Sequence, residues 1–338
     1  MKNYQIPTPV TLKKDMRAVC LTVAAFVATI MVSASIFVGI YVAMRALTGG
    51  AIDPSYMSDS AGLLGYINSA QFTQDTAGYV YESIGFASCA SIITGAMWFF
   101  LIRGKRFVTS DITTRNARMN ASMLIQLIVV MLGVQFVMVL INIMTQPLLN
   151  AVDVSATDAL QDATATTMSS PIGILYIVLI GPIMEELVFR GAVMRKLQPY
   201  GANFAMVTSA MLFGMYHLFI YQAVFAFMVG LVFAYVAGRY SLKWAIVLHI
   251  LNNALACLAS FSEVAGGMVA LTYIGCFVAA IILLIIRRGI FKVQKRAGAP
   301  LYPKTFQKAY SSPFFIGFVA IFLLVGTLMM LRSSMLTG

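Results

Sequence analysis

Charge is what this chain is shortest of. Only 10% of its 338 residues are charged, while 60% are hydrophobic. A soluble domain carries about 25% charged residues, so a water-facing globular surface is excluded. Cysteine is scarce too. Cys20, Cys89, Cys257 and Cys276 lie in or near apolar runs with no C-x-x-C spacing, and they read as small buried hydrophobes. The alternation of apolar and polar residues expected of a membrane β-barrel is missing. The net charge is +11, yet no basic patch carries interleaved aromatics, which excludes nucleic acid as a partner. Histidine is limited to His217 and His249.

What the chain has is long apolar runs. Several reach the roughly 20 residues a helix needs to cross a hydrocarbon core. In lipid the backbone must satisfy its own hydrogen bonds, so these runs are read as helices. The expected fold is all-α, a polytopic transmembrane helix bundle of about nine spans: 18–45, 78–102, 119–146, 171–194, 203–220, 222–238, 243–261, 265–286 and 313–331. The first is too long for a signal-peptide core and lacks a small-residue cleavage site, so it is read as a retained span.

The connecting segments sort by charge. Basic residues gather in alternate ones: Lys2, Lys13, Lys14 and Arg17; Arg103, Lys105, Arg106, Arg115 and Arg118; Arg195 and Lys196; Arg239 and Lys243; Arg287, Arg288, Lys292, Lys295, Arg296, Lys304 and Lys308. The others carry Asp53, Asp59 and Asp75, then Asp153, Asp158 and Asp162, then Glu263, with Arg45 and Arg332 as isolated exceptions. The positive-inside rule then predicts a multi-pass protein of the cell membrane, with a cytoplasmic N-terminus and an external C-terminus.

A charged side chain at the centre of a membrane helix costs about 2.5–3.5 kcal/mol on insertion scales, so it needs a partner or a role. Glu185, Glu186 and Arg190 lie inside one apolar span, and both histidines lie inside others. Glu186 and Arg190 are spaced to share a helix face, as are Phe213 and His217, and His249 and Asn253. Asn252 points about 100° away from Asn253 on the same helix. Helical rise places Glu185 about 16 Å, His217 about 21 Å and His249 about 9 Å from the nearest basic end. These depths suit one polar cluster opening toward the cytoplasmic side. Pro182 and Gly181 permit a kink that makes room for water. Such a set can activate water with a carboxylate and stabilise an oxyanion with His or Asn. Alternatively, it can bind zinc through Glu185, His217 and His249.

Three motifs carry a family resemblance. Glu185–Glu–Leu–Val–Phe–Arg190 matches E-E-x-x-x-R, Phe213–Gly–Met–Tyr–His217 matches F-x-x-x-H, and His249–Ile–Leu–Asn–Asn253 matches H-x-x-x-N. In this order, each on its own apolar span, they resemble the CPBP family of intramembrane proteases, which includes CAAX prenyl endopeptidases and bacteriocin-processing or immunity proteins. The resemblance covers roughly 168–262 and implies a conical catalytic core of four helices there; the apolar runs place three spans before it in 1–167 and two after it in 263–338. It implies an endopeptidase acting on a membrane-associated or peptide substrate. Glu185 would be the general base, His217 would position water, and His249 with Asn253 would form the oxyanion site. Glu186 and Arg190 would be their support. Both glutamic and zinc-dependent mechanisms belong to the family. The expectation here is no cofactor, with zinc the alternative. The expected partners are a peptide or protein substrate and the lipid bilayer.

Two other classes compete. A non-catalytic membrane partner, such as a bacteriocin-immunity protein, could keep the same residues for packing. A transporter or proton relay also uses intramembrane Glu and His, but no inverted repeat of broken helices is present.

Overall fold

The computed structural model describes residues 9–48, 60–105, 116–151, 158–286 and 304–337. The charge pattern's Lys2, Asp53, Asp59, Arg106, Arg115, Asp153, Arg287, Arg288, Lys292, Lys295 and Arg296 lie outside the described residues. Within them the chain is helical: α1 (Pro9–Thr48), α2 (Ser60–Ile67), α3 (Ala70–Arg103), α4 (Ala121–Asn150), α5 (Asp158–Met168), α6 (Pro171–Tyr200), α7 (Ala202–Tyr216), α8 (Ile220–Arg239), α9 (Leu242–Ala259), α10 (Glu263–Ile286), α11 (Thr305–Tyr310) and α12 (Pro313–Thr337).

Seven of these helices are long and apolar enough to cross a membrane, and two shorter apolar ones, Ala202–Tyr216 and Pro313–Leu328, accompany them. Their outer faces are apolar: Ile40, Ile143, Leu271 and Ile285 are all more than half exposed. In water that surface would be prohibitively unfavourable, and in lipid it is the expected one. The protein is therefore an all-α, polytopic membrane bundle.

The helix pairs α1–α3, α7–α8 and α4–α10 make the main framework. One buried cluster draws on the whole length of the chain, from Leu12 and Phe26 through Leu127, Phe189, Phe213 and Phe233 to Ala280 and Phe315. Both ends of the bundle are tied by polar contacts. At one end Asp15 takes Lys196 at 3.0 Å and the Tyr200 hydroxyl at 2.8 Å. The same end joins Asn116 and Ala117 to the carbonyls of Tyr240 and Arg239. At the opposite end the Ser260 hydroxyl meets Met168, and Glu82 takes Arg45 at 3.6 Å and the Tyr41 hydroxyl at 2.9 Å. Arg45, an exception to the charge pattern, is thus compensated locally by Glu82 and lies over the Tyr79 ring.

Most helices extend a few residues past the expected spans, but one ends about a turn early, and that difference matters for the site. The run expected at 203–220 stops being helical at Tyr216, and α8 begins at Ile220. Helix α7 is therefore only about 22 Å long, short of a roughly 30 Å hydrocarbon core. The α7–α8 turn consequently sits at membrane depth. Its backbone is irregular: Leu218 has φ 64 and the Phe219 amide donates to the His217 carbonyl. Irregular backbone at such depth is tolerated where protein or a cavity surrounds it. Helix α12 supplies part of that surround. A Cβ on Gly326 would come within 2.8 Å of the Leu218 carbonyl oxygen, so only glycine lets α12 pack this close.

Candidate active site

Helix α6 carries the glutamate pair and is not a uniform α-helix. Two π-helical segments, Tyr176–Ile180 and Leu187–Met194, flank the α-helical Gly181–Glu186. Pro182 has no N–H to offer the preceding turn, and the Gly181 amide reaches back five residues to the Tyr176 carbonyl. The expected kink is thus resolved as two widened turns on either side of the motif, a deformation often found at functional sites.

Glu186 and Arg190 form the ion pair that their spacing predicts. Glu186 Oε1 lies 2.8 Å from Arg190 Nη1, and both side chains are completely buried. The guanidinium also donates from Nη2 to the Gly230 carbonyl at 3.1 Å. Its plane faces Phe213 at 4.3 Å and Phe233 at 5.6 Å. Gly230 is part of this arrangement. A Cβ there would fall 2.9 Å from Arg190 Nη2 and 3.0 Å from the Phe213 ring. Neither neighbour has room to retreat, because both are fully buried. Gly230→Ala is expected to cost about 1–3 kcal/mol by overpacking, read as a lower unfolding temperature of the detergent-solubilised protein. Unchanged stability would mean that the pocket around Arg190 is looser than this geometry.

His249 sits between the two glutamates. Its Nδ1 is 3.0 Å from Glu186 Oε1, and its Nε2 is 3.6 Å from Glu185 Oε2. Phe233 stacks on the ring at 4.7 Å, and Phe213 meets it edge-on at 5.7 Å. The imidazole is therefore fixed in position and in plane. His217 follows the last residue of α7, where its Nδ1 pairs with the Phe213 carbonyl at 2.9 Å. A carbonyl can only accept, so Nδ1 carries the hydrogen and Nε2 is left as an acceptor. Asn253 donates from Nδ2 to the Ile177 carbonyl at 2.9 Å, inside the first π-helical segment.

Glu185, His217, His249 and Asn253 all line one cavity of about 420 Å³. Glu186 and Arg190 are not among its lining residues and lie behind it. Sequence reasoning missed several further residues. Tyr216 and Tyr176 line the cavity beside Glu185. Gln135 of α4 donates to Asn252 at 2.7 Å, and Asn252 donates to Asn253 at 3.2 Å. Asn252, set aside on helical angle, lines the same cavity as Asn253. The cavity is wide enough to take both faces, and an amide is long enough to reach its neighbour. The one signal available in sequence was adjacency: Tyr216 precedes His217, and Asn252 precedes Asn253.

The expected direction of opening is corrected by the packing. On the basic-loop side of Glu185 the helices are filled: Val193, Met194, Leu197, Ala205, Val236, Ala237 and Ala245 are all fully buried. The cavity runs the other way, past Tyr176, Leu218 and Gln222 to Thr164 of α5. Depth along a helix measures distance to an end and carries no information about which end is plugged.

As for metal, no three His, Cys, Asp or Glu side chains among the described residues come together as a metal-holding group. The conditional zinc set of Glu185, His217 and His249 lines one cavity. The Phe213 carbonyl on His217 Nδ1 and the Glu186 carboxylate on His249 Nδ1 leave Nε2 as the remaining nitrogen of each ring.

Against known families, residues 167–255 match the model described as Type II CAAX prenyl endopeptidase Rce1-like. No curated protein and no solved structure matches the chain. The matched segment carries all three motifs and every residue placed on α6 to α9 above, in agreement with the resemblance to CPBP intramembrane proteases. Residues 167–255 of this multi-pass membrane protein are thus similar to the Rce1-like type II CAAX prenyl endopeptidases, over about a quarter of the chain.

Proposed function

We propose that the protein is an intramembrane endopeptidase of the cell membrane, with its N-terminus in the cytoplasm, that hydrolyses a peptide bond by a metal-free, glutamate-based mechanism. The observation that carries this reading is the convergence of Glu185, His217, His249 and Asn253, from three separate motifs, on one cavity inside the bundle.

In this mechanism water is held between the Glu185 carboxylate and the His217 Nε2 acceptor. Glu185 takes a proton as the water oxygen bonds to the scissile carbonyl carbon. The carbonyl oxygen becomes an oxyanion, stabilised by hydrogen bonds from His249 Nε2 and the second Asn253 amide hydrogen. Collapse breaks the C–N bond, and the proton on Glu185 passes to the leaving nitrogen. For His249 to donate from Nε2 while Nδ1 bonds Glu186, both ring nitrogens must carry hydrogen. Two carboxylates, one guanidinium and one imidazolium then sum to no net charge, which is the electrostatic condition for burying them together. The Gln135–Asn252–Asn253 amide relay would hold the Asn253 carboxamide in orientation.

The test is cleavage of an internally quenched peptide library by purified protein in detergent. Wild type cleaves, Glu185→Gln does not, and 1,10-phenanthroline leaves the wild-type rate unchanged. Equal inactivity of folded wild type and Glu185→Gln would end the enzymatic reading. Loss of activity on chelation, restored by zinc, would end the metal-free one.

A further inference from the structure

We propose that this cavity is entered from the extracytoplasmic half of the membrane, and that its substrate is an uncharged, apolar polypeptide segment presented on that side. The substrate part rests on the endopeptidase reading above; the direction of entry does not.

The direction follows from which residues bound the cavity. Helices α6 and α8 approach the basic end with their C-termini, and α1, α7 and α9 with their N-termini. The lining residues nearest that end are Glu185, Val229, Val27, Phe213 and His249. Helical rise puts Val229, Phe213 and His249 about 10–17 Å inward from the basic ends of their helices, and Glu185 and Val27 about 15 Å inward from Arg195 and Arg17. They form a floor at one level, and beneath it the fully buried side chains named above fill the space for two turns or more. Every other lining residue on these helices lies further from the basic end.

Exposure rises in the same direction. Glu185 and His249 are 8% and 4% exposed at the floor, Met31 is 50% exposed, and Ala256 and Thr164 are exposed at the rim. The loops at the plugged end carry Arg195, Lys196, Arg239 and Lys243, so the positive-inside rule makes that end cytoplasmic and the open end external.

The substrate class follows from the lining. Val27, Ile30, Met31, Ile177, Phe225 and Val229 form apolar walls, and no Lys or Arg among the described residues lines the cavity. A substrate carboxylate, including a free C-terminus, would find no Lys or Arg to pair with and would face Glu185, with the His249 ring already held between two glutamates. A charged side chain entering these walls would lose its hydration without compensation. The polar groups that remain, Gln135, Gln222, Asn252 and Asn253, can bond to an extended backbone and demand no charge from it.

Single cysteines test the direction whether or not the protein cuts anything. In a background with Cys20, Cys89, Cys257 and Cys276 replaced by serine, Thr164→Cys, Ala256→Cys and Lys243→Cys are exposed to a membrane-impermeant maleimide in intact cells. Thr164→Cys and Ala256→Cys are expected to label, and Lys243→Cys only after permeabilisation. Entry from this side is overturned if Ala256→Cys needs permeabilisation or never labels, or if Lys243→Cys labels in intact cells. Substrate class is read separately with purified wild type. Peptides with Asp or Lys on either side of the scissile bond are expected to show at least a tenfold lower kcat/KM than Leu or Val counterparts, and equal rates overturn it. Correct labelling with no cleavage of any peptide would refute the endopeptidase reading and leave the entry route standing.

Discussion

Arg190→Met is expected to be the most destabilising single substitution around the candidate site, at about 3–5 kcal/mol. The reason is the carboxylate it leaves behind. Glu186 is wholly buried, and Arg190 is its partner at 2.8 Å. Removing the guanidinium strands one charge in a dry interior and also deprives the Gly230 carbonyl of its donor. Glu186→Gln strands the opposite charge and loses the His249 contact as well. The double variant Glu186→Gln/Arg190→Met removes both charges and should recover much of the loss, because a neutral pair carries no comparable desolvation cost. The measurement is an unfolding transition in detergent for all four proteins of the cycle. A double variant no more stable than Arg190→Met would refute the ion-pair account.

Glu185→Gln should do the reverse: large loss of activity, little loss of stability. General-base catalysis typically contributes about 10²–10⁴-fold, so kcat should fall by that amount. Glu185 faces the cavity, and its nearest charged neighbour, His249 Nε2, is 3.6 Å away, beyond a good hydrogen bond. A glutamine of the same shape leaves the four-group set one positive charge in excess, but it does so on the cavity face and not in the packed interior around Arg190, so the loss of stability should stay at about 1 kcal/mol, well below that of Arg190→Met. Rates of peptide cleavage and unfolding temperatures, measured on the same preparations, separate the two glutamates. If Glu186→Gln and Glu185→Gln showed the same profile, the division into a base and its support would be wrong.

That division illustrates how far a linear reading could go. The adjacent glutamates were legible as a rare pair inside an apolar run, and the four-residue spacing to Arg190 identified which of them was paired. Both are properties of one helix. Tyr216 and Gln135 were not legible, because they reach the cavity beside Glu185 and Asn252 from other helices, and nothing in a membrane sequence marks an ordinary Tyr or Gln as facing inward. The end of α7 was missed for a related reason. Residues 217–220 are apolar enough to continue a span, and the break at Leu218 is paid for by packing against α8 and Gly326 of α12, which lies far along the chain.

Composition and periodicity alone determined that the solvent is lipid and the fold all-α, because backbone polar groups in hydrocarbon have no other open-ended solution than helices. They also determined which few ionisable residues could matter, since a charge in lipid is too costly to keep without a partner or a role. Only the tertiary structure decided that those residues share one cavity. It also decided that Glu186 and Arg190 stand behind that cavity, and that its packed floor lies toward the basic loops. The physical reason is that helical spacing determines a residue's depth and azimuth on its own helix, whereas a cavity is the space that neighbouring helices fail to fill.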